Sequence, residues 1–562
     1  MKERYIDIME GSLRAYSNEG IRDYINEIKQ NGLTEHGFPR LAANMGILIA
    51  YGRRTDLLDT FIEIMDICCE QIPKRKAAND FSIREICCCL MLLEEKAVVS
   101  KELLEKWKNQ LASFEPWEFY TVIDDHSGKF INNWALFAAV SEYMRGLYCG
   151  IDTSEFVDWQ LPSQLANLDC NDMYMDGPDS NPMLYDYVAR FLMSFLLRAG
   201  YKGQYASRIE QALDRTVDIS LQMQSAAGEV PFGGRSNQFL HNESTFCGYC
   251  EMEAARLAQK GDKIRAAKMK AAAQYASETI QRHLEQKSIS HVKNRYPVSS
   301  RIGCEKYAYF NKYMITAASM IYPAILFGDE SVVPCEPICK KGGYIITTSD
   351  RFHKIFVGAG GYSLEFETDA DFYYDANGLG RVHKAGCPAT ICLSTPFPPS
   401  RDTQPQYPQY VLEGDNLMPM SLCCYVEKDH KQFLGSTKGV RYTLVDSQTD
   451  EHKAIVVFQV ALTEDIVVSE EYHVTECGVD ILLTGQEKAG FLLPVFDFDG
   501  EKNTKIDIEK NEITVMYENA ICRYCFEGDI APDYQYYYNR NGRYRVYQVA
   551  SESLHIEITE ER

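Results

Sequence analysis

The stretch Gly228 to Glu243, GEVPFGGRSNQFLHNE, carries the densest set of reactive side chains in the sequence. Glu229, His241 and Glu243 can each hold or move a proton. Arg235 offers a planar fork matched to a carboxylate. Glycines at 228, 233 and 234 let the backbone turn tightly and come close to a ligand. The alternative is a helix-connecting loop, with Asn237 and Asn242 as caps and Glu243 in the first turn of the next helix.

Four further clusters have the same character. NDMYMDGPDSNPMLYDY places Asp172, Asp176 and Asp179 ahead of a helix bearing Tyr185 and Tyr187. Asp-Gly-Pro is also a turn signal, so Asp176 either shapes that turn or faces a ligand. DDHSGKFINNWALF puts Asn132 and Asn133 before Trp134 at a helix start. They read as caps and a core tryptophan, or as Asn133 polarising a substrate carboxylate while Trp134 stacks on a sugar face. The most basic segment, HVKNRYPVSSRIGCEKYAYFNKYM, holds Arg295, Arg301, Lys312 and Glu305 among Tyr307, Tyr309 and Tyr313. It is either a solvated charged face or a sugar-lined groove. FYYDANGLGRVHKAG sets Asp375, Arg381 and His383 on what reads as a Gly-rich loop between strands.

Two kinds of element must position these groups. To about residue 328 the apolar residues recur at helical spacing, in about a dozen helices. The clearest run from Leu57 to Cys69, and from Pro182 to a stop at Gly200. With no fixed-period repeat, consecutive hairpins of this number predict an (α/α)-toroid. After about residue 340 the period becomes two, in β-branched and aromatic runs that predict an antiparallel β-sandwich. The expected domains are therefore 1–335, helical and catalytic, and 336–562, antiparallel β.

Composition narrows the function. The chain has 562 residues and a net charge of -22, with no Lys/Arg-rich run, which argues against nucleic acid as partner. No apolar run reaches the length of a membrane span. The start has no apolar signal segment, and the 19 cysteines lack zinc-finger spacing. Reduced thiols in a cytoplasmic protein, with no metal and no cofactor, are the expectation. A P-loop, a dinucleotide-binding glycine pattern and a nucleophile elbow are all missing from the sequence. The expected partner is a small glycan or glucuronide, with a homo-oligomer possible.

The order helical domain, then β domain, resembles the polysaccharide lyases of the heparinase II/III and alginate-lyase kind. YMDGPDSNPMLYDYVARFLMSFL is similar to their Tyr-x-Asp-Gly…Tyr segment, and INNWAL to their substrate-neutralising Asn region. GEVPFGGRSNQFLHNE and CEKYAYFNKYMITAAS resemble glycoside hydrolase family 154, which includes β-glucuronidases. That second resemblance implies hydrolysis of a terminal glucuronic acid by an exo-acting enzyme. Glu229 would then take one catalytic role and Asp176 or Glu305 the other, with Arg235 on the uronate carboxylate, helped by Arg295 or Lys312. The lyase resemblance implies β-elimination instead, with Asn133 and Arg235 neutralising the carboxylate, Tyr185 or His241 as base, and Glu229 structural. A glycan-binding protein without catalysis is the third reading.

Overall fold

The computed structural model describes residues 1–124, 133–176, 183–234, 236, 239–286, 289–303, 307–370, 375–391, 421–437, 439–538 and 541–561, with backbone alone for 533–535. Two compact units emerge. The first comprises residues 1–217, 240–291 and 309–334, and the second 218–239, 292–308 and 335–562. The β unit thus includes two segments drawn from between helices.

The helices are, in chain order, α1 (Lys2–Arg14), α2 (Asn18–Asn31), α3 (Gly37–Ala50), α4 (Leu58–Gln71), α5 (Asn79–Lys96), α6 (Lys101–Ala112) and α7 (Pro116–Phe119). There follow α8 (Trp134–Cys149), α9 (Ser154–Leu165), α10 (Met183–Arg198), α11 (Ala206–Gln222), α12 (Leu240–Gln259), α13 (Lys263–Leu284), α14 (Phe310–Phe327) and α15 (Ile338–Lys341). They form two classes. In α3 every residue from Gly37 to Ile49 is buried, and in α12 every residue from Leu240 to Leu257. In contrast, α6 buries only Leu104, Trp107 and Leu111, the single stripe of a surface helix.

The buried class closes a circuit. Helix α3 packs on α5, α5 on α8, α8 on α10, α10 on α12, α12 on α14, and α14 back on α3. Outside them α4 lies against α3, α6 and α9 against α8, α13 against α12, and α1 against α13 and α14. This is an (α/α)-toroid, as the helix count predicts.

Contacts at matched depths give the inner helices one direction. Between α3 and α5, His36 meets Phe81, and one turn further Arg40 meets Glu85. Between α5 and α8, Phe81 meets Trp134 before Arg84 N donates to Ser141 Oγ. Between α10 and α12, Tyr187 meets Phe246 before Ser194 donates to Glu253. Between α12 and α14, His241 meets Tyr313 before Gly248 approaches the Met320 carbonyl. Between α14 and α3, Arg40 donates to Thr316 and Asn44 to Ser319.

The strands are β1 (Tyr344–Thr347), β2 (Lys354–Ala359), β3 (Tyr362–Glu367), β4 (Gly378–Lys384), β5 (Cys423–Lys428), β6 (Lys431–Leu434), β7 (Arg441–Thr449), β8 (Ala454–Ala461) and β9 (Val467–Thr475). They continue as β10 (Gly478–Gly485), β11 (Ala489–Phe498), β12 (Lys505–Glu509), β13 (Glu512–Tyr517), β14 (Ala520–Phe526), β15 (Asp529–Tyr538), β16 (Arg543–Ala550) and β17 (Ser553–Glu560). They build sheets ordered β1-β2-β3-β4, β12-β13-β14-β17-β10-β9-β8-β7 and β15-β16-β11-β5-β6. Every described pairing between strands is antiparallel, as in Val479 opposite Val474. Alternate residues of β8 and β14 are buried, which is the pattern of a sheet with one face in the core. Val357, Val456 and Val495, one from each sheet, join a single apolar cluster, so the sheets stack as a sandwich.

Candidate active site at the head of the helical ring

The helical unit gathers functional side chains at the heads of its inner helices. His36 is the N-cap of α3, and Asn133 that of α8. Tyr185 lies in the first turn of α10, His241 and Glu243 in that of α12, and Lys312 and Tyr313 in that of α14. Their rings touch in sequence. His36 packs on Phe81 (centroids 4.9 Å) and on Tyr313 (6.1 Å), and Tyr313 packs on His241 (5.5 Å).

Local chemistry fixes several of these groups. The Asn133 side chain makes no capping bond to its own helix. Its backbone N–H and its Nδ2 both donate to Asp176 Oδ1, each at 2.9 Å. This sets the amide orientation, with the NH2 toward Asp176, and makes Asp176 a positioning group for Asn133. Burial, reinforced by Arg40, Lys312 and His241, pushes His36 well below the ordinary imidazole value. Burial also lowers Lys312. Lys312 forms no ion pair among the described residues. Below this level the interior is filled by an ionic group. Glu85 accepts from Arg40 Nε at 3.1 Å and from Arg84 Nη2 at 2.7 Å, and the Arg84 guanidinium lies 5.3 Å from the Phe191 ring centre.

Six parallel helices with their N-termini at one end gather the positive ends of their dipoles there. Such a surface favours an anionic ligand. With a histidine pair, tyrosines, a fixed amide and a lysine that has no ion pair among the described residues, it can bind a carboxylate and exchange a proton beside it.

Other residues singled out by sequence take different places. Trp134 opens α8 and packs its ring on Phe81 at 4.7 Å. Glu243 is fully buried, and Tyr309 is 58% exposed. Arg235 and Glu305 lie outside the described residues.

Glu229, Arg295, Arg381 and His383 belong to the β unit. Arg381 and His383 are not on a loop: they sit on β4, two residues apart on one face, and both are buried. Gly378 and Gly380 in GLGRVHK imitate a turn, yet the strand is held by pairing to β3. Glu229 Oε2 lies 3.3 Å from Lys293 Nζ and 3.3 Å from Arg381 Nη2. Burial alone would raise its pKa, but Lys293 and Arg381 outweigh this and hold it at about 2. Glu229 is therefore ionised at neutral pH and cannot donate a proton there. Its neighbours are anchored too, since Arg381 Nη1 donates to the Val230 carbonyl at 2.7 Å and Ser225 Oγ lies 2.9 Å from His383 Nδ1. Arg295 pairs with Asp499 at 3.2 Å and with Glu518, so its charge is spent on tying segment 292–308 to the strands.

Beside this lies a second ionic knot. Lys354 Nζ meets Glu365 at 3.1 Å, Glu367 at 3.0 Å and Asp375 at 2.9 Å, and donates to the Phe232 carbonyl at 3.0 Å. One ammonium cannot neutralise three carboxylates. Glu367, also paired with His353, is held at about 2, while burial and its acidic neighbours push Asp375 up to about 7.

His36 is the group the sequence did not disclose. In TEHGFPR it is flanked by Glu35 and Arg40, but only the packing of α3 against α5 and α14 joins it to the other candidate residues.

A comparison with known protein families finds no match, and no curated protein matches the chain. Solved structures do resemble it. Heparinase III is 10% identical, with a TM-score of 0.48 over 92% of this chain and 76% of its own. A heparan sulfate lyase HepC mutant from Pedobacter heparinus is 9% identical, with a TM-score of 0.47 over 93% and 76%. A chondroitinase AC lyase is 9% identical, with a TM-score of 0.41 over 99% and 83%. No value reaches 0.5, so the fold and the chemistry rest on the geometry of this chain.

Proposed function

We propose that this chain is a carbohydrate-active enzyme on uronate-containing glycans, and that it cleaves them by β-elimination. The observation that carries this reading is the gathering of Asn133, Tyr185, His241, Tyr313 and Lys312 at the heads of parallel inner helices. In elimination the uronate carboxylate is first neutralised, which acidifies the C5 proton. Asn133, pinned by Asp176, and Lys312 suit that task. His241 or Tyr185 then takes the C5 proton, the C4–O bond breaks, and the departing oxygen acquires a proton. The product is a 4,5-unsaturated uronate. Trp134 and Tyr309 offer aromatic surface for the sugar rings.

Hydrolysis of a terminal glucuronic acid, the reading that the family 154 resemblance favours, needs a carboxyl group that carries a proton at neutral pH. Glu229 cannot be that acid, because Lys293 and Arg381 keep it ionised, which leaves it only the base or nucleophile role in hydrolysis. It suits an anchoring role, as the elimination reading asks.

The test is a panel of uronate-containing glycans and aryl β-glucuronides given to the full chain. Elimination produces new near-ultraviolet absorbance from the unsaturated product. Release of glucuronic acid without that absorbance means hydrolysis, and binding without either product means a glycan-binding protein. On an active substrate His241→Ala should lower kcat by about 10²- to 10⁴-fold, the usual loss for a general base. A rate within a few-fold of wild type would pass the role to Tyr185.

A further inference from the structure

We infer that His36 is a binding residue for the acidic group of the substrate, a neutral imidazole held by Arg40 as a fixed hydrogen-bond donor through Nε2. The inference rests on the proposed uronate substrate and adds to it the residue that reads the carboxylate.

The tautomer follows from elementary chemistry. Arg40 Nη1 lies 3.0 Å from His36 Nδ1. A guanidinium has only donors, so Nδ1 must accept and carries no proton. The single proton of the neutral ring is then on Nε2. Arg40 itself cannot turn away, because Nε bonds both oxygens of Glu85 and Nη1 also reaches Thr316. The ring plane is fixed in turn by Phe81 and Tyr313.

Nε2 lies across the ring from Nδ1 and so points away from Arg40, which sits one turn deeper in α3. It has no hydrogen-bond partner among the described residues. Every charged or titratable neighbour favours the neutral ring or is already engaged. Arg40, Lys312 and His241 oppose a second proton. Glu85 is held by Arg40 and Arg84, and Glu35 by Tyr24 and the backbone N–H groups of Gly37 and Phe38. What remains at this point of the ring is a fixed N–H donor and the ammonium of Lys312. Both suit an anion, and Tyr313 links them to His241.

The test has two arms on the full-length protein. In the first, histidines are labelled with ¹⁵N and His36 is assigned by the signal lost in His36→Gln. The expected spectrum shows Nε2 protonated and Nδ1 bare, without titration between pH 5 and 8. A ring that titrates near the ordinary imidazole value overturns the inference. In the second, binding of a saturated uronate-containing disaccharide is compared with its uronate methyl ester by calorimetry. His36→Ala should weaken the acid by about 10- to 100-fold and the ester far less, with part of the affinity restored in His36→Gln, whose amide keeps a donor. Equal loss on both ligands marks a merely structural role and overturns the inference, as does unchanged affinity for the acid. If wild type binds neither ligand, the uronate reading fails and takes the inference with it. If wild type binds the acid and His36→Ala does so equally well, the inference alone fails.

Discussion

At the scale of single residues, buried charge dominates the β unit. Glu229 between Lys293 and Arg381 forms a buried triad that cannot be broken cheaply. Removing one partner of such a group leaves uncompensated charge, at a cost of about 3–5 kcal/mol. Glu229→Gln should therefore lower the unfolding free energy by that order, read from denaturant midpoints. The sign with pH follows from its depressed pKa: the stabilisation is complete above the unfolded value near 4.5 and is lost as pH falls toward about 2. Asp375 behaves in the opposite sense. Its folded pKa near 7 exceeds the unfolded 3.8, so its ionisation costs stability progressively as pH rises between those values. Asp375→Asn imitates the protonated form and should remove that loss. The melting temperature of the variant relative to wild type should climb from pH 5 to pH 8; a flat difference would mean that Asp375 does not carry the proton. Little of this was readable in the sequence. Glu229, Arg381 and His383 stand out by type, but that Glu229 answers Arg381 across 152 residues is decided by the fold alone.

At the scale of elements, the helical period made α4 and α10 legible to within a few residues, because each carries apolar residues at helical spacing and α10 also has a stop at Gly200. The β4 strand was misread because its polar residues point into an ionic interior, where alternation of apolar and polar residues no longer reports burial. The common direction of the inner helices and the way they close on one another were not legible, although the helix count suggests a ring. They depend on close approaches such as that of Gly248, where an added Cβ would fall 2.4 Å from the Met320 carbonyl and 2.8 Å from the Phe191 ring. Glycine is a poor helix former, and here it lets α12 lie against α14. Gly248→Leu should lower stability by about 1–3 kcal/mol or more, the range for overpacked cores. It should also perturb the His241–Tyr313 contact, visible as a larger loss of activity than of stability. If thermal unfolding is unchanged, the two helices do not touch closely there.

At the scale of the whole molecule, the chain passes between the two units at 217/218, 239/240, 291/292, 308/309 and 334/335. The last passage is the boundary that the change of period suggests. The other four were hidden, since 218–239 and 292–308 read as ordinary helix connections. These segments supply the Phe232 carbonyl to Lys354, the Phe232 N–H to Glu365, and Glu229 and Lys293 beside Arg381. A fragment of residues 335–562 would leave those buried charges without their partners. It should fail to give a cooperative unfolding transition, whereas the full chain should. A stable, monomeric fragment with a sharp transition would show that the inserted segments are dispensable.

Since the inner helices share one direction, the two openings of the ring are chemically unlike. One rim gathers the positive ends of the helix dipoles, the other the negative ends. For the uronate glycan proposed above, the first rim attracts and the second repels, so approach and departure would share one door.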